Sequence, residues 1–289
     1  MDLSRFAATV GGEGPVTIAG TASRGGSVPE VRCVKAPAGI EWIQADEMIV
    51  SCGAAITVAA LNQALGEIGQ TVALPISGTV GGALSVGRSD VRRLGHGPVR
   101  DVLLQAEYVS STGIVVKAGG PTVKNVSGFD LCRLLVGSRG TLGFLGAVIL
   151  RTRPLPIASQ WYRRDGPPWS AFAALYRPVS VLWNGTATFV LLEGHPSDMA
   201  EQAAIASLHP VDGPPVLPTA GRWSIPPAEI RHLDGTAGFV AEIGVGIVHS
   251  DDPAPVRVQP QAVAELHARL KHEFDPTGRL NPGVDTLVV

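Results

Sequence analysis

Gly78-Thr79-Val80-Gly81-Gly82-Ala83 follows a short apolar run, Thr71 to Leu74, and opens an apolar stretch that continues to Val86. Glycine at such a place lets the backbone approach a neighbour with no Cβ in the way. Two further loops share this character, Gly20-Thr21-Ala22-Ser23-Arg24-Gly25-Gly26 and Gly137-Ser138-Arg139-Gly140-Thr141-Leu142-Gly143. Each of the three follows or precedes a strand-like segment. Backbone amides in such loops suit an anion or a large cofactor, with Thr79 and Ser138 as extra hydroxyl donors. The loops are nearly free of lysine, so the cradle reads as built from backbone. By composition alone they describe three ordinary tight turns equally well.

The segments around these loops set the expected elements. Pro15 to Ala19 reads as a strand leading into the first loop, and Glu47 to Ser51 as a second. Thr57 suits a helix N-cap, since its hydroxyl can take an orphan amide of the first turn. Val58, Leu61, Leu65 and Ile68 follow at helical spacing, and Gly69 suits the left-handed end. This βαβ rhythm argues for an α/β domain. Val102 to Ser110 and Ile114 to Ala118 flank Ser111-Thr112-Gly113 as a hairpin. Asp130 is placed to cap a short helix, Leu131 to Val136, closed by Gly137. Leu142 to Arg151 reads as a strand. Prolines then become frequent, which puts a boundary near Leu155. A helix returns at Gln261 to Phe274, with Val263, Leu266, Leu270 and Phe274 on one face.

Composition narrows the classes. The 289 residues suit two domains. Hydrophobic residues make up 45%, enough for a sizeable core. A net charge of −2 gives no electrostatic footprint for nucleic acid or a membrane surface. No apolar run reaches the roughly 18 residues of a transmembrane helix. Met1-Asp2-Leu3-Ser4-Arg5-Phe6 lacks the basic-then-apolar order of a signal peptide. Cys33, Cys52 and Cys132 are an odd number at wide spacing, neither a disulfide framework nor a metal pair.

Several motifs fail. The sequence has no Gly-Lys dipeptide and so no Walker A loop. Gly244-Val245-Gly246-Ile247-Val248-His249 breaks the dinucleotide fingerprint at its last position and reads as a glycine-rich strand. His267 and His272 do not share a helical face. The seven histidines show no metal-ligand spacing, and no GxSxG elbow supports a hydrolase nucleophile.

The order of the remaining segments is more specific. Besides Gly78 to Ala83 and Gly137 to Gly143, the chain contains Arg92-Arg93-Leu94-Gly95-His96-Gly97-Pro98-Val99-Arg100-Asp101 and Gly119-Gly120. It also contains Val123-Lys124-Asn125-Val126-Ser127-Gly128-Phe129-Asp130-Leu131 and Phe274-Asp275-Pro276-Thr277-Gly278-Arg279-Leu280-Asn281-Pro282-Gly283. Together these resemble the vanillyl-alcohol-oxidase and p-cresol-methylhydroxylase type of flavoprotein, and within it the FAD-binding subunits of bacterial glycolate oxidases. The likeness is strong over Ser77 to Pro156, weaker over Val16 to Leu74, and absent over most of Ile157 to Pro260.

The resemblance implies an α+β chain. Residues 1–155 would form a two-subdomain FAD-binding domain of the p-cresol-methylhydroxylase type. Residues 156–260 would form a reduced, cap-like substrate domain, and 261–289 a helix and tail returning to the FAD domain. FAD would be non-covalent, as no His or Cys lies in the first loop. Gly20, Thr21, Ala22 and Ser23, with Thr79, Val80, Gly81 and Gly82, would hold its pyrophosphate. Gly137, Ser138, Gly140, Thr141 and Gly143 would run beside the adenosine and the flavin ring, and Asn281 would reach the flavin region. Arg100-Asp101 and Lys124-Asn125 are characteristic of the glycolate-oxidase-like subunit; without the resemblance, Arg100 and Asp101 read as an ordinary pair and Asp130 as a helix cap.

The departures are as informative. Thr21 and Ala22 replace two of the family's three consecutive glycines, and His96 and Phe129 stand where tyrosines are common. The His-Gly-Asp-Gly-Asn-type metal and substrate motif of catalytic D-2-hydroxyacid dehydrogenases is missing, and no catalytic residue is assigned. The implied role is an electron-relaying subunit of a 2-hydroxyacid, glycolate-type oxidase or dehydrogenase complex. It would work with a catalytic flavin subunit and an iron–sulfur subunit on a small organic acid, in a bacterial cytoplasm, with any membrane association made through partners. Two alternatives stay open: a stand-alone FAD oxidase with its acid or base in Ile157 to Pro260, and a flavin-free structural subunit.

Overall fold

The computed structural model describes residues 1–23, 25–121, 130–256 and 258–285. The run Val123 to Phe129, with Lys124-Asn125, therefore lies outside the described residues, as does Arg24. In chain order the elements begin with α1 (Ser4–Val10), β1 (Val16–Ile18), β2 (Arg32–Val34), β3 (Ile40–Gln44), β4 (Ile49–Gly53), α2 (Val58–Gly66), β5 (Gln70–Thr71), α3 (Val80–Val86) and α4 (Arg93–His96). Next come β6 (Leu103–Val109), β7 (Val115–Gly119), α5 (Leu131–Leu135), β8 (Phe144–Arg151), β9 (Arg153–Pro154), β10 (Ala158–Asp165), α6 (Trp169–Ala174), β11 (Ser180–Trp183) and β12 (Ala187–Gly194). The last are α7 (Pro196–Ile205), β13 (His209–Val211), β14 (Gly221–Ser224), β15 (Phe239–Glu242), β16 (Ile247–Ser250) and α8 (Gln261–Phe274).

Two compact units divide the chain, one from 1–89, 98–155 and 259–288, the other mainly from 90–97 and 156–258. In the first, a five-stranded sheet of order β3-β4-β8-β6-β7 is antiparallel throughout. The α/β domain argued from the βαβ rhythm is thus corrected to an antiparallel arrangement: β4 pairs antiparallel with β3 and β8, and β5 pairs antiparallel with β9. Among the described strands, only β1 and β2, a separate ribbon, run parallel. β8 is buried from Phe144 to Leu150, as a central strand covered on both faces must be. Helix α1, unmarked in the sequence reading, packs onto it through Leu3 and Phe6. A Cβ at Gly146 of β8 would lie 2.7 Å from a Leu3 methyl carbon.

The local capping signals act as expected. Thr57 Oγ1 accepts the Ala60 amide at 3.1 Å and starts α2, whose Leu61 and Leu65 are buried. The helix ends at Gly66, so Ile68 lies past it and is exposed. Asp130 caps α5 by accepting the Arg133 amide. β6 and β7 form the expected hairpin.

A clasp at the end of α8 ties the termini together. The bounds of α8 match the expectation, but its apolar face does not bury: Val263 and Leu266 are exposed, and only its C-terminal turn, with Phe274, packs on the core. Asp275 is 1% exposed; its carboxylate accepts the Lys271 ammonium at 2.6 Å and the amides of Arg279 and Leu280. Arg279 is buried and donates to five carbonyls, those of Val10, Gly11, Glu13, Gly14 and Ser111, at 2.8–2.9 Å. Leu280 then bridges to Val16, and the Asn281 amide donates to the Val16 carbonyl.

In the second unit, the seven-stranded antiparallel sheet β13-β10-β12-β11-β15-β16-β14 packs one face on α6, α7 and a 3-10 turn at Pro227–Leu233. Trp183 centres this core, edge-on to Trp169 and Phe239 at 5.6 and 5.4 Å. Residues 90–97 join this unit because Gly95 donates its amide to the Val179 carbonyl and has no room for a Cβ there. Gly244 and Gly246 form the β15–β16 turn at φ +78° and +83°, so the fragmentary dinucleotide fingerprint is a hairpin.

Two predictions follow from the first unit. Arg279→Met takes a donor from five carbonyls, of which those of Val10 and Glu13 keep Arg32 and those of Gly11, Gly14 and Ser111 do not, so it should cost about 3–5 kcal/mol in chemical unfolding; a loss under about 1 kcal/mol contradicts the clasp. Burial pushes the Cys52 thiol up to about 12 and, with the Asp130 charge, Cys132 to about 11, while Cys33 is exposed. An aromatic disulfide reagent near pH 8 should therefore titrate one thiol in the native chain and all three after denaturation.

Candidate cofactor site

The first unit contains a cavity of about 510 Å³. The loop after β1 forms one wall, with Gly20, Thr21, Ala22, Ser23, Gly25 and Gly26. Helix α3 forms another through Thr79, Gly81, Gly82 and Ser85, whose spacing puts them on one helical face. Arg88, Arg139, Gly140, Phe144 and Asn281 complete much of the lining. The small side chains of Ala36, Ala54 and Ala55 leave the floor open.

The helix that carries Gly81 and Gly82 is a finding beyond the turn read from sequence. Glycines in a first helical turn cost roughly 1 kcal/mol each relative to alanine. At Gly81 space demands it: a Cβ would sit 3.0 Å from both the Ala54 Cβ and the Ala54 carbonyl oxygen. At Gly82 a Cβ would meet only Thr79 Oγ1, at 3.1 Å, and otherwise open space. The amides at this helix start already have acceptors. Val80 donates to the Ile56 carbonyl at 2.9 Å, Gly81 to the Ala54 carbonyl at 2.7 Å, and Gly82 to Thr79 Oγ1 at 3.0 Å. They lock α3 onto the end of β4 and are not spare donors. Among the described residues, the amides of Gly20, Thr21 and Ala22 do remain without an acceptor. Ala22 holds φ +57°, the left-handed conformation that glycine adopts at least cost.

The sequence-marked residues divide accordingly. Gly20, Thr21, Ala22, Ser23, Thr79, Gly81, Gly82, Gly140 and Asn281 line the cavity. Val80 is fully buried in the core instead. Gly137, Ser138, Thr141 and Gly143 shape the adjoining loop. The Ser138 hydroxyl donates to the Leu135 carbonyl and the Thr141 hydroxyl to the Ser138 carbonyl, so neither is free for a ligand. A Cβ at Gly143 would fall inside the Tyr108 ring. Asn281 fixes the cavity mouth, donating through Nδ2 to the Arg139 carbonyl at 2.6 Å and accepting the Ile18 amide at 3.3 Å. Arg100 and Asp101 are an exposed pair at 3.8 Å, away from this lining.

Arg88 and Arg139 are the residues that the sequence reading left without a role. Burial, and then the Arg139 charge, lowers the Arg88 guanidinium below its ordinary value. Among the described residues, the lining contains no Asp, Glu or Lys. A cavity with glycine walls, apolar floor and positive charge fits a dinucleotide with a diphosphate and planar ends. No group of His, Cys, Asp and Glu among the described residues could hold a metal ion.

Parts of the chain are similar to known proteins. Residues 14–119 match the FAD binding domain family. D-lactate dehydrogenase of Archaeoglobus fulgidus is 35% identical over 143 residues, 47% of this chain and 32% of that protein. Glycolate oxidase subunit GlcE of Escherichia coli is 33% identical over 145 residues, 48% of this chain and 41% of that protein. The chain thus spans less than half the length of these two relatives in the matched parts. Among solved structures, an alkyldihydroxyacetonephosphate synthase shares the α+β fold, with a TM-score of 0.66 over 98% of this chain and 74% of that one, at 14% identity. Residues 14–119 thus resemble an FAD binding domain, and this likeness supports FAD as the cofactor.

Proposed function

We propose that FAD lies along the cavity of the first unit, and that the chain is the electron-relaying, FAD-binding subunit of a 2-hydroxyacid, glycolate-type oxidase or dehydrogenase complex. The observation that carries the placement is the set of gaps that glycines keep open: a Cβ at Gly82 would enter the cavity, and Gly20, Thr21 and Ala22 keep amides unused beside it. When bound, FAD supplies reversible uptake of electron pairs. The chain's own residues position it. Thr79 and Gly81 hold α3 against β4, the first loop offers donors, and Asn281 pins the Arg139 loop to β1. The glycolate assignment rests on the likeness to the Escherichia coli subunit. Its partners in this reading are a catalytic flavin subunit and an iron–sulfur subunit.

A second reading, a stand-alone oxidase, draws on two buried pairs in the second unit. His96 Nε2 lies 2.8 Å from Glu193 and His249 Nε2 lies 2.9 Å from Glu242. A histidine held by a carboxylate is the arrangement of a general base. The two readings part on one measurement. In the relay reading, glycolate or D-lactate leaves the flavin of the isolated chain oxidised under anaerobic conditions over minutes. Rapid bleaching by either acid selects the stand-alone oxidase. Protein that purifies colourless and takes up no added FAD contradicts both.

Two predictions test the cavity. Acid precipitation of the loaded chain should release all flavin to the supernatant; flavin in the pellet contradicts non-covalent binding. Gly82→Val should leave unfolding within about 1 kcal/mol of wild type but weaken FAD by about a hundredfold or more. Gly81→Val should instead lose about 1–3 kcal/mol of stability, because its side chain meets the Ala54 backbone. Equal effects of the two variants on flavin and on stability would contradict the placement.

A further inference from the structure

A cavity that encloses a dinucleotide needs one wall that moves, because such sites bury most of the ligand surface. Two of the walls here are fixed. Helix α3 carries the buried Val80, Ala83 and Leu84 and hangs on the end of β4, and Phe144 and Leu145 belong to the central strand β8. The C-terminal segment differs. The Arg279 clasp fixes the chain as far as Asn281, whose amide donates to the Val16 carbonyl at 2.9 Å. Beyond it, Pro282 and Val284 are half-buried, Gly283 and Asp285 are exposed, and Val284 lines the cavity. Gly283 makes the turn at φ +78°, which the Val284 amide closes on the Asn281 carbonyl at 3.2 Å, and a Cβ on Gly283 would meet nothing within 4 Å. Arg139 joins this segment to the wall. Its amide donates to the Ser85 carbonyl at 2.8 Å, its carbonyl accepts Asn281 Nδ2 at 2.6 Å, and its guanidinium donates to the Asp285 carbonyl at 3.4 Å.

We propose that residues 282–285 are a gate over the cavity, latched by Arg139, which sets how fast FAD enters and leaves. This goes beyond the reading above and rests on FAD occupying this cavity. The latch joins protein to protein, so it forms in the empty and the loaded chain alike. A bond of that kind raises the barrier between the two states and adds little to their difference in free energy. The gate therefore shows in rates. A residue that touches the cofactor changes the dissociation constant instead, mostly through release.

The test uses Gly283→Val and Arg139→Gln in the full chain, with radiolabelled FAD. Valine is strained at a positive φ, so Gly283→Val disfavours the closed turn without a clash. Uptake by apoprotein and release into excess unlabelled FAD should each be roughly five- to thirtyfold faster in this variant. Its dissociation constant should move less than about threefold. Its apoprotein should melt within about 3 °C of wild type. Arg139→Gln should likewise speed uptake, whereas removing an arginine that only attracted the diphosphate would slow it. The double variant should exceed the faster single one by no more than about twofold, since both changes open one latch. Rates within about twofold of wild type in both single variants overturn the proposal. So does faster release with unchanged uptake and an equal loss of affinity, which would make the tail a binding surface. Slower uptake in Arg139→Gln, or effects that multiply in the double variant, overturns it too. Wild-type chain that takes up no FAD sinks the FAD reading and the gate with it; wild-type uptake with unaltered variant rates sinks the gate alone.

Discussion

One buried guanidinium organises the first unit. Arg279 satisfies carbonyls from the end of α1, the segment after it and the β6–β7 turn. Burial pushes it below its ordinary value, and the Asp275 carboxylate, which also holds Lys271, works the other way. Such a charge persists inside a protein only when its donors are matched. Because they are, the next residues have a fixed course: Leu280 lies beside Val16 and Asn281 enters the cavity wall. The C-terminal tail is thus part of the cavity wall, although some 260 residues separate it from β1.

This arrangement explains how a cavity survives in a fold that otherwise packs tightly. Its walls are held from behind. Val80 and Gly81 hang on carbonyls at the end of β4, Gly137 and Arg139 on carbonyls of α3, and Asn281 on β1 and the Arg139 loop. Each wall spends its own backbone groups on its neighbour, which leaves the first loop with unused amides beside the cavity.

Much of this was legible in the sequence where the cause is local. Thr57, Asp130 and the Ser111-Thr112-Gly113 turn announce themselves because capping and hairpin chemistry act within four residues. The glycine loops marked most of the cavity for the same reason. What stayed hidden was non-local. A lone Arg88 after a helix, or Ala54 and Ala55 after a strand, carries no pattern until the tertiary fold brings them to one chamber. The rhythm of the first third suggested an α/β domain because a strand–helix–strand order does not record which strands meet; β8, far along the chain, takes the place beside β4. The second unit, poor in recognisable motifs, hid both His–Glu pairs, since each joins residues on different elements.

Hydrogen exchange of the apoprotein and of the FAD-loaded chain tests the central claim most directly, because it locates the cofactor without a substrate. The account predicts that FAD slows exchange in peptides covering 18–26, 79–88, 137–145 and 279–285, with little change in 180–192 of the second unit. Protection confined to the second unit, or absent from both the first loop and α3, would contradict it.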